Sequence, residues 1–157
     1  MNKLSLSLFL VAGITVGCRN PADAPAFEGT CEGVSFLVIS AENASHAHFM
    51  VPPGATLRTP DGAEATSALP KIRAALQEKA PRTAANFTNY QCQVLGTING
   101  GTNMLCCHFI SKAHSLTTTQ DWKRKPVILL DGGDMTFQAD YDVQSGKCMS
   151  ISIPPSW

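Results

Sequence analysis

The chain has 157 residues, 44% of them hydrophobic, and its twelve Lys and Arg are balanced by twelve Asp and Glu. That length suits one domain with one core. A charged fraction of only 15% with zero net charge argues against a nucleic-acid binder held by charge, a highly charged disordered chain and a coiled coil, and no apolar run after residue 20 is long enough to cross a bilayer.

The N-terminus reads as an address. Lys3 precedes an apolar run, Leu4 to Gly17, interrupted only by Ser5, Ser7 and Thr15. This is a charged n-region and an h-region too short for a spanning helix of ~20 residues. Two cleavage points compete. Ile14–Thr15–Val16–Gly17–Cys18 resembles a bacterial lipoprotein signal, in which small residues precede a cysteine that becomes lipidated. Ala22–Asp23–Ala24 is the A-x-A site of ordinary secretion, with Pro25 badly placed behind the scissile bond. The first reading makes 1–17 a signal peptide and Cys18 the lipidation site. Residues 18–30, rich in Pro and Ala, then tether a single domain over 31–157. The expected location is the cell envelope, lipid-anchored on the periplasmic face or secreted to the periplasm. Export permits disulfides among the six cysteines, and no C-x-x-C pair is present.

Val34–Ser40 is a β-branched, apolar run and predicts a strand. Pro52–Pro53–Gly54 and Pro60–Asp61–Gly62 predict a loop region. Ala68 to Lys79 predicts a helix capped by Ser67, with Pro70 in its first turn and Leu69, Ile72 and Leu76 on one face. So short a helix with one apolar stripe is not stable alone in water and must lie on a sheet. Asn99–Gly100 predicts a hairpin turn that sets Tyr90 opposite Phe109, Cys92 opposite Cys107 and Val94 opposite Leu105. One face of that hairpin is apolar; the other carries Gln91, Gln93, Thr97, Met104, Cys106 and His108. A second hairpin at Gly132–Gly133 pairs Ile128 with Phe137 and Leu130 with Met135. The loop from Asp142 to Gly146 reverses the chain and sets Ala139 opposite Met149 and Asp140 opposite Cys148.

The expected fold is α+β: one amphipathic helix packed on an antiparallel meander sheet of about five strands. This order of elements is similar to cystatin-like and related helix-on-sheet folds. Gln91-x-x-Val94-x-Gly96 is one residue longer than the cystatin inhibitory loop Q-x-V-x-G, and no inhibitor function is carried over. Asp131–Gly132–Gly133–Asp134-x-x-Phe137-x-x-x-Tyr141–Asp142 looks like a hairpin of small exported bacterial proteins and implies no chemistry.

Several groups bear candidate chemistry. Cys92 and Cys107, as neighbours on a ladder, are disulfide candidates or two buried thiols. Cys106 and His108 share a strand face, where a thiol beside an imidazole is a potential nucleophile; the plainer alternative is an exposed or bridged cysteine near a surface histidine. His46 and His48 fall on one side of an extended segment, two ligands where zinc needs three or four. Asp131 and Asp134 face each other across a turn, as calcium ligands or as a solvated turn. Trp122–Lys123–Arg124–Lys125 suits phosphate head groups, or acts as a charged gatekeeper beside the apolar run that follows. No assembled catalytic set emerges, and nothing calls for a cofactor or a nucleic acid. The expected function is therefore that of an exported, lipid-anchored, non-enzymatic binding or envelope-associated module. Its partners would be an unknown protein or envelope component, and the membrane through Cys18. The alternative is a small thiol- or metal-dependent enzyme using Cys106 and His108 or His46 and His48.

Overall fold

A computed structural model describes residues 24–45, 51–118, 120–127, 129 and 132–154. Cys18, His46, His48 and Asp131 lie outside them. The elements are β1 (Phe27–Cys31), β2 (Val34–Val38), β3 (Thr56–Arg58), α1 (Gly62–Lys79), α2 (Pro81–Ala85), β4 (Tyr90–Asn99), β5 (Thr102–Ser111), β6 (Thr136–Asp142) and β7 (Lys147–Ser152). The fold is α+β, with one main helix on a seven-stranded sheet ordered β1-β2-β4-β5-β6-β7, and β3 also paired to β4. Among the described residues no helix is long and apolar enough to cross a membrane.

The sheet departs from the expected meander in three ways. It has more strands. β1 uses Phe27 to Thr30, the end of the expected tether, because their amides and carbonyls find partners on β2 from Val38 to Ser35. It is also mixed: β2 runs parallel to β4, with Ser35 beside Gln91 and Val38 beside Val94. Parallel neighbours need a long crossover, and α1 lies in it. Only β4 to β7 form an antiparallel meander.

The helix starts six residues earlier than Ala68. Asp61 is its cap: Asp61 Oδ1 accepts from Glu64 N at 2.7 Å, and Glu64 Oε2 accepts from Asp61 N at 3.1 Å. This reciprocal box satisfies two amide hydrogens that would otherwise lack partners. Ser67 is no cap, since its hydroxyl donates back to the Glu64 carbonyl at 2.9 Å. Pro70 therefore sits in the helix interior on the exposed face. A proline there leaves the carbonyl four residues back without its amide. That carbonyl belongs to Thr66, and the Cys31 thiol donates to it at 3.5 Å. The buried stripe is Ala65, Ala68, Leu69, Ile72 and Leu76.

The β4–β5 hairpin turns at Gly100–Gly101, with φ of 56° and 85°. A type I′ turn needs positive φ at both central positions, and two glycines meet that demand at lower cost than Asn99–Gly100. Every partner consequently slides by two: Cys92 faces Phe109, Val94 faces Cys107 and Gly96 faces Leu105. A slip of two keeps each side chain on its expected face, so Tyr90, Val94 and Leu105 are buried as anticipated.

Ile128 and Leu130, expected to pair across Gly132–Gly133, lie outside the described residues; at the glycines themselves the chain makes no two-residue hairpin turn. Met135 N donates to Gly132 O at 2.9 Å in a 3-10 turn, and β6 pairs with β5 instead, Phe137 beside Phe109. The described residues of 126–130 hold no strand; Val127 N is bonded to a side chain, Gln93 Oε1, at 2.8 Å. The reversal between Asp142 and Gly146 stands as expected, closed by Gly146 N donating to Asp142 O at 2.9 Å. Beyond it, a bulge between Asp140 and Tyr141 shifts the register, so that Ala139 faces Ile151, Asp140 faces Ser150 and Tyr141 faces Cys148. The bulge carries Cys148 to the helix side and leaves Met149 exposed.

Two cores result, back to back. Under α1 lie Phe36, Val38, Cys92, Val94, Cys107, Phe109, Phe137 and Ala139. Phe109 and Phe137 stack at 4.2 Å, and Phe87 joins them at 5.4 Å from Phe109. Behind the sheet, Leu37, Ile39, Leu95, Cys106 and Ile110 pack on Trp122.

Candidate functional site under the strap

Trp122 belongs to a short segment, 122–127, that straps the face of the sheet opposite α1. The sheet face beneath it is unusually polar. One transverse row runs Glu28, Leu37, Gln93, His108, Gln138 and Ser152, each beside the next on adjacent strands. Gln93 is fully buried and His108 only 4% exposed. Such groups are costly in an apolar setting unless their hydrogen bonds are met.

Gln93 meets all of its own. Its Nε2 donates to Trp122 O at 2.5 Å and to Lys125 O at 2.8 Å, and its Oε1 accepts from Val127 N at 2.8 Å. One side chain thus does for the strap what a neighbouring strand would do. The Trp122 ring, 2% exposed, plugs the second core. Of the basic run, Lys123 Nζ pairs with Glu28 at 3.2 Å at the sheet edge, Arg124 is half-buried, and Lys125 is exposed.

His108 meets only half of its needs. Thr136 Oγ1 donates to Phe109 O at 2.9 Å and lies 2.8 Å from His108 Nε2. With its one proton used, Thr136 accepts from the ring, which places the imidazole proton on Nε2. Nδ1 is buried and faces the Val127 backbone without a hydrogen bond of ordinary geometry. Burial holds the imidazole pKa down at about 4, with the Val127 backbone acting weakly the other way.

Cys106 shares this face and is 4% exposed. Burial first, then the Asp140 carboxylate beside it, pushes its thiol well above the usual range. Asp140 also accepts from Ser150 Oγ at 2.6 Å. A nucleophilic cysteine needs a stabilised thiolate and a base turned toward it. Here the neighbour is an anion, and among the described residues the side-chain bond of His108 is to Thr136. The expected surface location of this pair is corrected by the strap, which covers both.

Cys92 and Cys107 are free thiols on the opposite face, beneath α1. The slid register makes them diagonal rather than direct neighbours. Diagonal positions stand ~7–8 Å apart between Cα atoms, beyond the usual ~4.4–6.8 Å of a disulfide. Their side chains still touch: hydrogen bonding to Cys92, then burial, pushes the Cys107 thiol well up. Among the described residues no three His, Cys, Asp or Glu side chains converge as a metal site.

Beside the strap runs a groove of about 420 Å³. Its floor is a second polar row, Thr30, Ser35 and Gln91, aligned across β1, β2 and β4. Trp122 and Lys123 form the strap-side wall, and Glu28 lines it on β1. Alternation along β4 and β5 predicts a shared face for Gln91, Gln93, Cys106 and His108, and does not extend to Glu28, Thr30 or Ser35 on β1 and β2. Nothing in the alternation signalled that a distant loop covers part of it, and Gln93 and Trp122 escaped notice as partners for that reason. Comparison of the chain with family models, curated proteins and solved structures gives no match.

Proposed function

We propose that the chain is an exported, lipid-anchored domain of the bacterial cell envelope that binds a partner without covalent chemistry. The observation carrying this reading is the contrast on one sheet face. The reactive side chains, Cys106 and His108, are buried and tuned away from reactivity. The neighbouring groove presents hydroxyl and amide groups from Thr30, Ser35 and Gln91 to solvent. Uncharged donors and acceptors on a rigid sheet suit recognition of a polar, extended ligand. Cys18 supplies the anchor in this reading, and the partner is a protein or other component of the envelope.

The test compares three forms in cells: the native chain, Cys18→Ala, and Ser35→Trp, which fills the groove. The native chain is expected to take up labelled acyl chain, to fractionate with membranes and to give a discrete adduct with an amine-reactive cross-linker. Cys18→Ala should lose the label and membrane retention. Ser35→Trp should keep both and lose the adduct. Retained labelling in Cys18→Ala overturns the anchor; an unchanged adduct in Ser35→Trp overturns the groove.

A further inference from the structure

We propose that His108 is a proton-operated latch on the strap: uptake of a proton by the buried ring releases 122–127 from the sheet while the core under α1 stays closed. The geometry is specific to this ring. His108 lies directly across the ladder from Gln93, the residue that holds the strap by three hydrogen bonds. Its unpartnered Nδ1 faces the strap at Val127. The strap is therefore what separates the imidazole from water.

Among the described residues no carboxylate is bonded to the ring to hold a second proton. Gln93 faces it from β4 and Gln138 from β6, both uncharged. On the same face, one row along, Cys106 and Asp140 interact with each other, and Asp140 is further bonded to Ser150. The charged side chains on the strap are Lys123, paired with Glu28 at the sheet edge, the half-buried Arg124 and the exposed Lys125. The Val127 backbone favours the charged ring, but burial opposes it more, so a protonated ring still gains by reaching water, and the strap is the cover that lies against it. The helix side shares no polar group with this row, so it has no reason to open with it.

The sign follows from linkage. The ring value is lowered from 6.5 to about 4 in the closed form. Any state that exposes it binds one more proton between those limits, so strap opening is rare above pH 6.5 and grows as pH falls toward 4. Release would also remove Trp122 and Lys123 from the wall of the groove. The latch does not depend on the groove's being a binding site, and its test reads the strap alone.

That test is native-state hydrogen exchange at the Val127 amide, corrected for intrinsic exchange. Its opening constant should rise roughly sevenfold per pH unit as pH falls between 6 and 4.5. In a Trp157→Phe background, Trp122 emission should shift to the red over the same range, with the far-UV signal of the sheet unchanged. His108→Gln should remove the slope, and Asp140→Asn should keep it. Should His108→Gln fail to fold, the ring resonances of His108 in the native chain decide: they should take up the proton with the same pH profile as the opening. A flat opening constant overturns the latch. So does a slope surviving in His108→Gln, a ring titrating near 6.5 with the strap closed, or loss of the sheet signal together with the strap.

Discussion

Pro70 and Cys31 show how one residue's defect becomes another's role. An interior proline costs up to ~3 kcal/mol in a helix, partly through the carbonyl it leaves unbonded. Here that carbonyl, on Thr66, receives the Cys31 thiol, which gives a purpose to a cysteine whose sequence position suggests no neighbour. Pro70→Ala should raise stability by about 1–3 kcal/mol in urea unfolding, since the exposed site tolerates alanine and the new amide takes up Thr66 O. Cys31→Ala should cost about 1 kcal/mol in the native background and about half as much in Pro70→Ala. Equal costs in both backgrounds would refute the link. Thiol chemistry at this scale is also ordered. Burial and the neighbours named above push Cys106 and Cys107 well up, whereas Cys31 and Cys148 are partly exposed. At pH 8 an alkylating reagent should label Cys31 and Cys148 in the folded protein, and Cys106 and Cys107 only on unfolding; early labelling of Cys106 would reopen the thiol-enzyme reading.

At the scale of elements, alternation was a sound guide to faces and a weaker one to partners. Val34 to Val38, β4, β5 and β6 are strands where the sequence pattern predicts them, because a period of two is printed in their side chains. The register slid because Asn99–Gly100 and Gly100–Gly101 are both good turns, and only the φ values of the folded loop choose between them. Gly100→Asn should accordingly be tolerated within ~0.5 kcal/mol, whereas Gly101→Val should cost about 1–2 kcal/mol, both measured by thermal unfolding. The helix start was missed because Ser67 and Asp61 are both capping residues, and Asp61 alone has Glu at the third position beyond it. The strap was illegible: it leads into a stretch, 126–130, with the composition of a strand, yet the partner of its Val127 amide is one glutamine far away in the chain. Gln93→Leu should cost about 2–4 kcal/mol, since it strands two carbonyls and an amide at once, and should raise quenching of Trp122 well before the sheet melts. A cost under 1 kcal/mol would show that the strap is held by the packing of Trp122 and Val127 rather than by Gln93.

For the whole molecule, the sheet is a partition with a different cover on each side. The helix covers one side through a continuous apolar stripe; the strap covers the other through the Trp122 ring, Val127 packed beside it and the Gln93 amide. Its edges are handled separately. Met149 is turned out by the bulge, and Lys79 Nζ at the end of α1 donates to the Ile151 carbonyl on β7, a cationic clasp on an edge that would otherwise recruit another chain. The candidate site follows the same division. Its residues were readable as a face, while its cover, and hence the burial of Cys106 and His108, came from long-range packing that no local pattern encodes.

The parallel seam between β2 and β4 sets the order in which such a chain can assemble. Strands β4 to β7 find one another through near neighbours in the chain, a kind of contact that closes fast. The N-terminal hairpin has to wait until α1 has been laid down between it and its berth, and that longer closure carries the larger entropic toll. A ribosome nevertheless delivers the hairpin first. As the chain emerges, the hairpin is an orphan ribbon with one greasy side, able to dock only after β4, which begins at Tyr90, has followed it.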